Sequence, residues 1–157
     1  MREIKFRGKS CIGNWVYGYL KKQMVGDKAD VWAIQTEGKE MLHLPATRFK
    51  PAKDTLLYEN IVAPNTVGQF TGLTDKNGKK IFEGDIFTSD YFDDTYNFEV
   101  VFSDGAFCGK HKSTGIYMLG FTNFDDNGED LGYWCEEDYT SHIQIIGNIH
   151  DNPKLLS

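Results

Sequence analysis

Short apolar stretches separated by turn residues run through the chain, and the helical period of about 3.6 residues is almost absent. The pattern is sharpest in residues 67–88, VGQFTGLTDKNGKKIFEGDIFT. Its Asn-Gly pair indicates a hairpin turn, in which Gly78 supplies the positive φ that such turns need. The stretch predicts a strand at 67–74, a turn at 75–78, an antiparallel return at 79–82, a break at 83–85 and a new strand from Ile86.

Short strands are predicted on either side of this hairpin. In residues 4–7, Ile4 and Phe6 alternate with Lys5 and Arg7, as in a half-buried strand. The fold class is therefore mainly β, built from antiparallel hairpins. We expect a smaller β-rich N-terminal part with a linker at 1–62 and a second part at 63–157. Further strands are predicted at 15–20, 31–34, 98–102, 116–121, 131–135 and 143–149, with 116–121 and 131–135 paired as a hairpin.

The end of the chain predicts a short C-terminal helical turn. Asn152 fits an N-cap, and Pro153 fits the first helical position after it. Leu155 and Leu156 then supply an apolar side to this turn. We expect the tail to dock on the protein, because burying two leucines is favourable.

The strand at 15–20 carries an aromatic row, since Trp15, Tyr17 and Tyr19 share one face. Two interpretations apply. The favoured one is that the rings cover the sheet as core and cross-strand pairs. The other is that the row, with neighbouring cations, is a platform on which single-stranded bases stack. The neighbouring cations are Lys5, Arg7 and Lys9.

Three segments carry a resemblance to a known family. They are FRGK with WVYG at 6–9 and 15–18, TGLTDKNGKKIFEGDIF at 71–87, and IGNIHDNPKLL at 146–156. In this order they resemble the YopX family of phage and prophage proteins. The resemblance implies a small β-rich protein with an SH3-like barrel or roll in its second half. It implies no agreed activity and brings no catalytic residues. Residues 89–141 match no pattern of the family.

The composition indicates the cellular compartment and an uneven distribution of charge along the chain. The 157 residues suit one domain or two small subdomains. Three cysteines, Cys11, Cys108 and Cys135, form no CxxC pair, which favours reduced thiols in a cytoplasmic protein. No apolar run is long enough to span a membrane. Residues 1–60 hold 11 Lys or Arg against 7 Asp or Glu, giving +4, whereas residues 61–157 hold 6 against 16, giving −10.

An acidic loop at 89–97 is the main candidate for a metal site. Hard cations bind several oxygens, so Asp90, Asp93, Asp94 and Glu99 invite this interpretation, and the fold could add Asp85. However, metal-dependent nucleases need acids fixed on rigid elements, and scattered loop acids are usually solvated. We therefore expect no metal site.

Three weaker candidates follow. Asn123, Asp125, Asn127 and Gly128 match the start of an EF-hand loop, but Trp134 stands where the closing Glu is required. The turn at 125–130 is therefore also expected to bind no metal. The other two candidates are Cys135, which His111 or His142 would have to approach to form a nucleophilic dyad, and His43, which has no neighbours at ligand spacing.

The sequence thus indicates no catalytic, cofactor or metal residues and no cofactor. The leading hypothesis is a non-enzymatic accessory protein of a phage or prophage in the bacterial cytoplasm, acting through a protein partner or as a homo-oligomer. A basic first part and an acidic second part would suit docking between copies. The alternative is nucleic-acid binding by the N-terminal part, which the sequence pI near 5.2 disfavours. A metal-dependent enzyme using the acidic loop comes third, and no membrane contact is expected.

Overall fold

The protein is mainly β and antiparallel, as predicted. The computed structural model describes residues 4–25, 29–36, 60–90, 96–103, 105–111, 115–118 and 139–157. The chain divides into two compact units, Met1–Gln69 and Phe70–Ser157. Helical structure in the described residues is limited to short 3₁₀ helices, so none there could cross a bilayer.

The first unit is an antiparallel sheet. Its strands are β1 (Phe6–Lys9), β2 (Trp15–Val25), β3 (Ala29–Gln35), β4 (Ile61–Val62) and the first residues of β5 (Gly68–Thr74). The order is β4-β3-β2-β1, and Gly68 and Gln69 of β5 pair with β1. Strand β2 is longer than the predicted strand at 15–20.

Buried residues of the first unit lie on both faces of this sheet. Ile34 and Val62 are buried on the face of Leu20, whereas Ala33 and Arg7 are buried on the face of Tyr17. Gly8 permits the packing of Val62, because a Cβ on Gly8 would lie 2.9 Å from Cβ of Val62. The predicted burial of residues 4–7 is wrong at two positions: Ile4 is 58% exposed, whereas Arg7 is 5% exposed.

The second unit contains the rest of β5 and six further strands. These are β6 (Lys80–Phe82), β7 (Asp85–Ser89), β8 (Asn97–Ser103), β9 (Ala106–His111), β10 (Gly115–Met118) and β11 (Ile143–Asn148). Five of them form an antiparallel sheet in the order β10-β9-β8-β7-β11, which is open at both ends among the described residues. A 3₁₀ helix at Tyr139–His142 leads into β11.

The predicted hairpins are largely confirmed. Strands β5 and β6 pair antiparallel around the turn, and Gly78 has a φ of 77°. Strands β8 and β9 pair as a hairpin, and β8 contains the predicted strand at 98–102. Residues 115–118 are a strand, but it pairs with β9, and the predicted partner at 131–135 lies outside the described residues.

A tightly packed core supports the second unit. The rings of Phe87 and Phe98 stack with centroids 5.2 Å apart. A Cβ on Gly109 would lie 2.6 Å from the Phe87 ring, so only glycine leaves room for this ring beside β9. The cluster of buried residues consists of Ile81, Phe87, Phe98, Val100, Phe107, Ile143 and Ile145.

The C-terminal helical turn is present as a 3₁₀ helix, Pro153–Leu156, with Asn152 at its N-cap. Leu155 and Leu156 are half-buried. The amide of Asn97 donates a hydrogen bond of 2.7 Å to the carbonyl of Leu155. The tail therefore contacts the start of β8 through its backbone, and its two leucines are half-buried.

Candidate functional site

The most distinctive surface of the first unit is one face of β1 and β2. Trp15 lies opposite Lys9, and Tyr17 lies opposite Arg7, so these side chains share a face with Tyr19. We call this surface the aromatic face, and it also includes Lys21 farther along β2. The exposed fraction is 49% for Tyr17 and 45% for Tyr19, while Trp15 is partly buried.

The interpretation of the aromatic row as core is therefore wrong for Tyr17 and Tyr19. A buried ring loses its access to ligands, whereas half of each tyrosine side chain is open to solvent. The apolar side chains on the opposite face of β2, such as Val16 and Leu20, are only half-buried. The exposed tyrosines thus share a face with Lys9 and Lys21.

Arg7 organises one end of the aromatic face. Its guanidinium carbon lies 4.9 Å from the centroid of the Trp15 ring, which is a cation–π contact. The arginine is almost completely buried. It therefore restrains the indole and keeps positive charge close to it.

Gly18 fixes how β2 runs beside β3. A Cβ at this position would lie 2.0 Å from the carbonyl oxygen of Gln35, and the φ of Gly18 is +156°. No side chain fits into that space. Because Gly18 stands between Tyr17 and Tyr19, this close approach sets the path of the strand that carries both rings.

Two of the acids considered for a metal site, Asp85 and Asp90, bind protein donors. Asp85 is 1% exposed, and its carboxylate accepts a hydrogen bond of 2.8 Å from the amide of Phe82. It caps the turn before β7. Asp93 and Asp94 lie outside the described residues. Within the described part of the chain, no three His, Cys, Asp or Glu side chains are grouped as metal ligands.

Asp90 binds two side chains just after the end of β7. Its carboxylate oxygens lie 2.9 Å from Nζ of Lys76 and 2.8 Å from Nδ1 of His142. The hydrogen bonds from Lys76 and His142 lower the pKa of the Asp90 carboxyl group. The group is exposed, so this arrangement is a surface ion pair.

Asp75 stabilises the fold through hydrogen bonds to its carboxylate, a role that the sequence alone did not reveal. One oxygen accepts hydrogen bonds of 2.9 Å from the amides of Asn77 and Lys79. The other accepts one of 3.0 Å from the amide of Ile145 in β11. Aspartate before Asn-Gly is a sequence signal for the first two bonds. The central signature thus ties the hairpin turn to the last strand.

The remaining candidates give no catalytic pair among the described residues. His142 contacts Asp90, and the His111 ring packs against Tyr96 and Phe98. The proposed dyad partner Cys135 lies outside the described residues. So do His43 and the EF-hand-like positions Asn123, Asp125, Asn127, Gly128 and Trp134.

Comparisons with known proteins concern the family and the fold. No curated protein matches the chain. The crystal structure of protein EF1440 from Enterococcus faecalis is similar, with a TM-score of 0.52 and 22% sequence identity over 100% of both chains. At that identity, the likeness concerns the fold alone. The family described as YopX protein matches residues 5–157. Because this match spans essentially the whole chain, the protein belongs to the YopX family.

Proposed function

We propose that this YopX protein is a non-enzymatic accessory protein of a phage or prophage, that it works in the cytoplasm of the bacterial host, and that its ligand is single-stranded nucleic acid. The observation that carries the proposal is the aromatic face, with Tyr17 and Tyr19 about half exposed beside the cations of β1 and β2. Exposed aromatic rings and neighbouring positive charges are the two components of single-strand binding surfaces.

The composition of the face favours nucleic acid over a protein partner. Tyrosine, tryptophan and arginine suit both kinds of interface, but lysine is depleted in protein interfaces. Here Lys9 lies opposite Trp15, and Lys21 is exposed farther along the same face of β2. Lysines placed around exposed rings can instead neutralise phosphates.

The charge of the chain is divided in the same way as the fold. Residues 1–69 contain 11 Lys or Arg against 7 Asp or Glu, giving +4, and residues 70–157 contain 6 against 16, giving −10. The acidic pI of the whole sequence therefore conceals a basic unit. Binding through that unit should weaken as salt rises, because phosphate contacts release counterions.

We expect the double variant Tyr17→Ala with Tyr19→Ala to lose most of its affinity for single-stranded DNA. Stacking contributes about 1–3 kcal/mol per base, so each lost ring should weaken binding about tenfold. Fluorescence anisotropy with a labelled oligothymidylate at low salt measures the effect. Phe102→Ala is the matched control, because Phe102 is an exposed ring in the acidic unit.

Absence of binding by the wild-type protein at low salt would overturn the nucleic-acid proposal. If sedimentation then showed self-association that is lost in the tyrosine double variant, the same face would be assigned to a second copy of the chain. An equal loss of DNA binding in Phe102→Ala would show that the aromatic face is not the site.

The non-enzymatic part of the proposal has its own test. We expect calorimetry with Mg²⁺, Mn²⁺ and Ca²⁺ to show no binding at physiological concentrations, and we expect no nicking of plasmid DNA. The buried hydrogen bond of Asp85 and the ion pairs of Asp90 support this expectation, since both carboxylates are engaged by protein donors. Metal-dependent nicking that is lost in Asp90→Asn would move the protein to the enzymes.

We also propose that the second unit has the SH3-like form that the family resemblance implies. Its support is topological. A run of antiparallel neighbours, β7 to β10, is followed by a 3₁₀ helix, and β11 then returns to pair with β7. A strand that returns to the first of its sheet is the step that brings a roll towards closure.

A further inference from the structure

The three rings of the aromatic face are evenly spaced along one strand. Trp15, Tyr17 and Tyr19 are alternate residues of β2, whose pairing with β1 and then β3 shows no register shift. Alternate residues of a strand are about 6.8 Å apart, because each residue advances the chain by about 3.4 Å. The residues that carry the rings therefore repeat at about twice the spacing of stacked bases, which is about 3.4 Å along one nucleic-acid strand.

We infer that the aromatic face binds about three consecutive nucleotides of an extended single strand, with one base on each ring and the phosphates on the β1 side. This inference rests on the proposed function. A duplex keeps its bases stacked and cannot place neighbouring bases about 6.8 Å apart. A single strand can, because its backbone extends when the bases unstack.

The neighbours of β2 determine the side on which the phosphates lie. Strand β1 places Lys9 opposite Trp15 and Arg7 opposite Tyr17. On the other side, β3 places the neutral Gln35 opposite Tyr19. Among the described residues that pair with β2 beside the rings, positive charge thus lies on the β1 side. Lys9 is the cation that meets a phosphate, while Arg7 lies over the Trp15 ring.

The number of nucleotides bound is tested with a series of oligothymidylates from about two to eight nucleotides. Their affinities for the full chain are measured by anisotropy or competition. We expect affinity to rise steeply, about tenfold per nucleotide, up to about three nucleotides. For longer oligonucleotides, affinity should rise only because the protein can bind at more positions along them. A hairpin duplex of the same length should compete weakly.

Two variants test whether each ring binds one base and whether the phosphates lie on the β1 side. With Tyr19→Ala, affinity should stop rising steeply at about two nucleotides, because one base loses its ring. Lys9→Gln should lower the dependence of log Kd on log salt by about the value of one phosphate contact. The matched control is Gln35→Ala on the β3 side, which should leave that dependence unchanged.

The outcomes separate this inference from the proposed function. If no oligonucleotide of any length binds, both fail. If single strands bind but affinity keeps rising steeply to about eight nucleotides, the site does not bind about three nucleotides, while single-strand binding stands. The same conclusion follows if Tyr19→Ala leaves the dependence of affinity on oligonucleotide length unchanged. An unchanged salt dependence in Lys9→Gln would remove the phosphates from the β1 side.

Discussion

Replacing Gly18 by alanine should lower the free energy of unfolding by about 2–4 kcal/mol, the range of severe overpacking. The added Cβ would lie 2.0 Å from the carbonyl oxygen of Gln35 and 2.7 Å from its carbonyl carbon. Both atoms belong to the backbone of β3, so no side-chain rotation can relieve the clash. Relief requires β2 and β3 to separate where Tyr19 pairs with Gln35.

Gly78→Ala is the matched control, since it also places alanine at a glycine with positive φ. A Cβ at Gly78 would meet nothing within 4 Å, so only the backbone cost of about 1 kcal/mol applies. Lys76→Ala in the same turn should be near neutral, because it removes only a surface ion pair with Asp90. Urea melts of the three variants measure the order. A loss in Gly18→Ala no larger than that in Gly78→Ala would contradict the close approach.

Local turn chemistry explains why the central hairpin could be predicted from the sequence. Residues 75–78 contain Asp, Asn and Gly in the positions that favour a tight turn, and these preferences act within a few residues. The observed bounds of β5 and β6 and the positive φ of Gly78 follow from them. The long-range hydrogen bond from Ile145 to Asp75 joins residues 70 apart, and no local pattern contains it.

The aromatic face shows a different limit of sequence reasoning. Alternation along β2 correctly grouped Trp15, Tyr17 and Tyr19, because the period of a strand is local. Their exposure depends on what covers the sheet, which is a tertiary property. Arg7 makes the same point: alternation alone could not reveal the Trp15 ring that packs with its guanidinium and helps to bury it.

The charge of Asp85 makes it a possible metal ligand on sequence grounds. The structure gives it a backbone partner at Phe82 instead. Short-range capping of a turn by an aspartate is a common local role. Carboxylates that cap buried turns and carboxylates that bind metals share one residue type, so only the surrounding geometry separates them.

Asp75→Ala should lower the free energy of unfolding by about 3 kcal/mol at neutral pH, since hydrogen bonds to a charged acceptor contribute about 1.5–3 kcal/mol each and their effects overlap. The variant leaves the amides of Asn77, Lys79 and Ile145 without their acceptor. The Ile145 bond is buried, so water cannot replace it easily. Thermal or urea melts measure the loss.

Asp75→Asn separates the charge from the shape. Its amide oxygen can still accept from Asn77 and Lys79, but its NH₂ group would face the amide of Ile145, and two donors cannot bond to each other. We therefore expect an intermediate loss. Asp90→Asn is the control, because its exposed carboxylate binds side chains only, and its effect should be the smallest of the three.

The same carboxylate predicts a dependence on pH. Burial by itself would raise the pKa of Asp75, but hydrogen bonds from the amides of Ile145, Lys79 and Asn77, with the charge of Lys79, outweigh it and lower the pKa. A lowered folded pKa stabilises the protein above the unfolded value of about 3.9, and this contribution is lost as pH falls through the folded value. The stability difference between wild type and Asp75→Asn should therefore be constant from neutral pH down to about 5 and shrink below about 4. A difference that stays constant through the acid range would show that Asp75 contributes by shape alone.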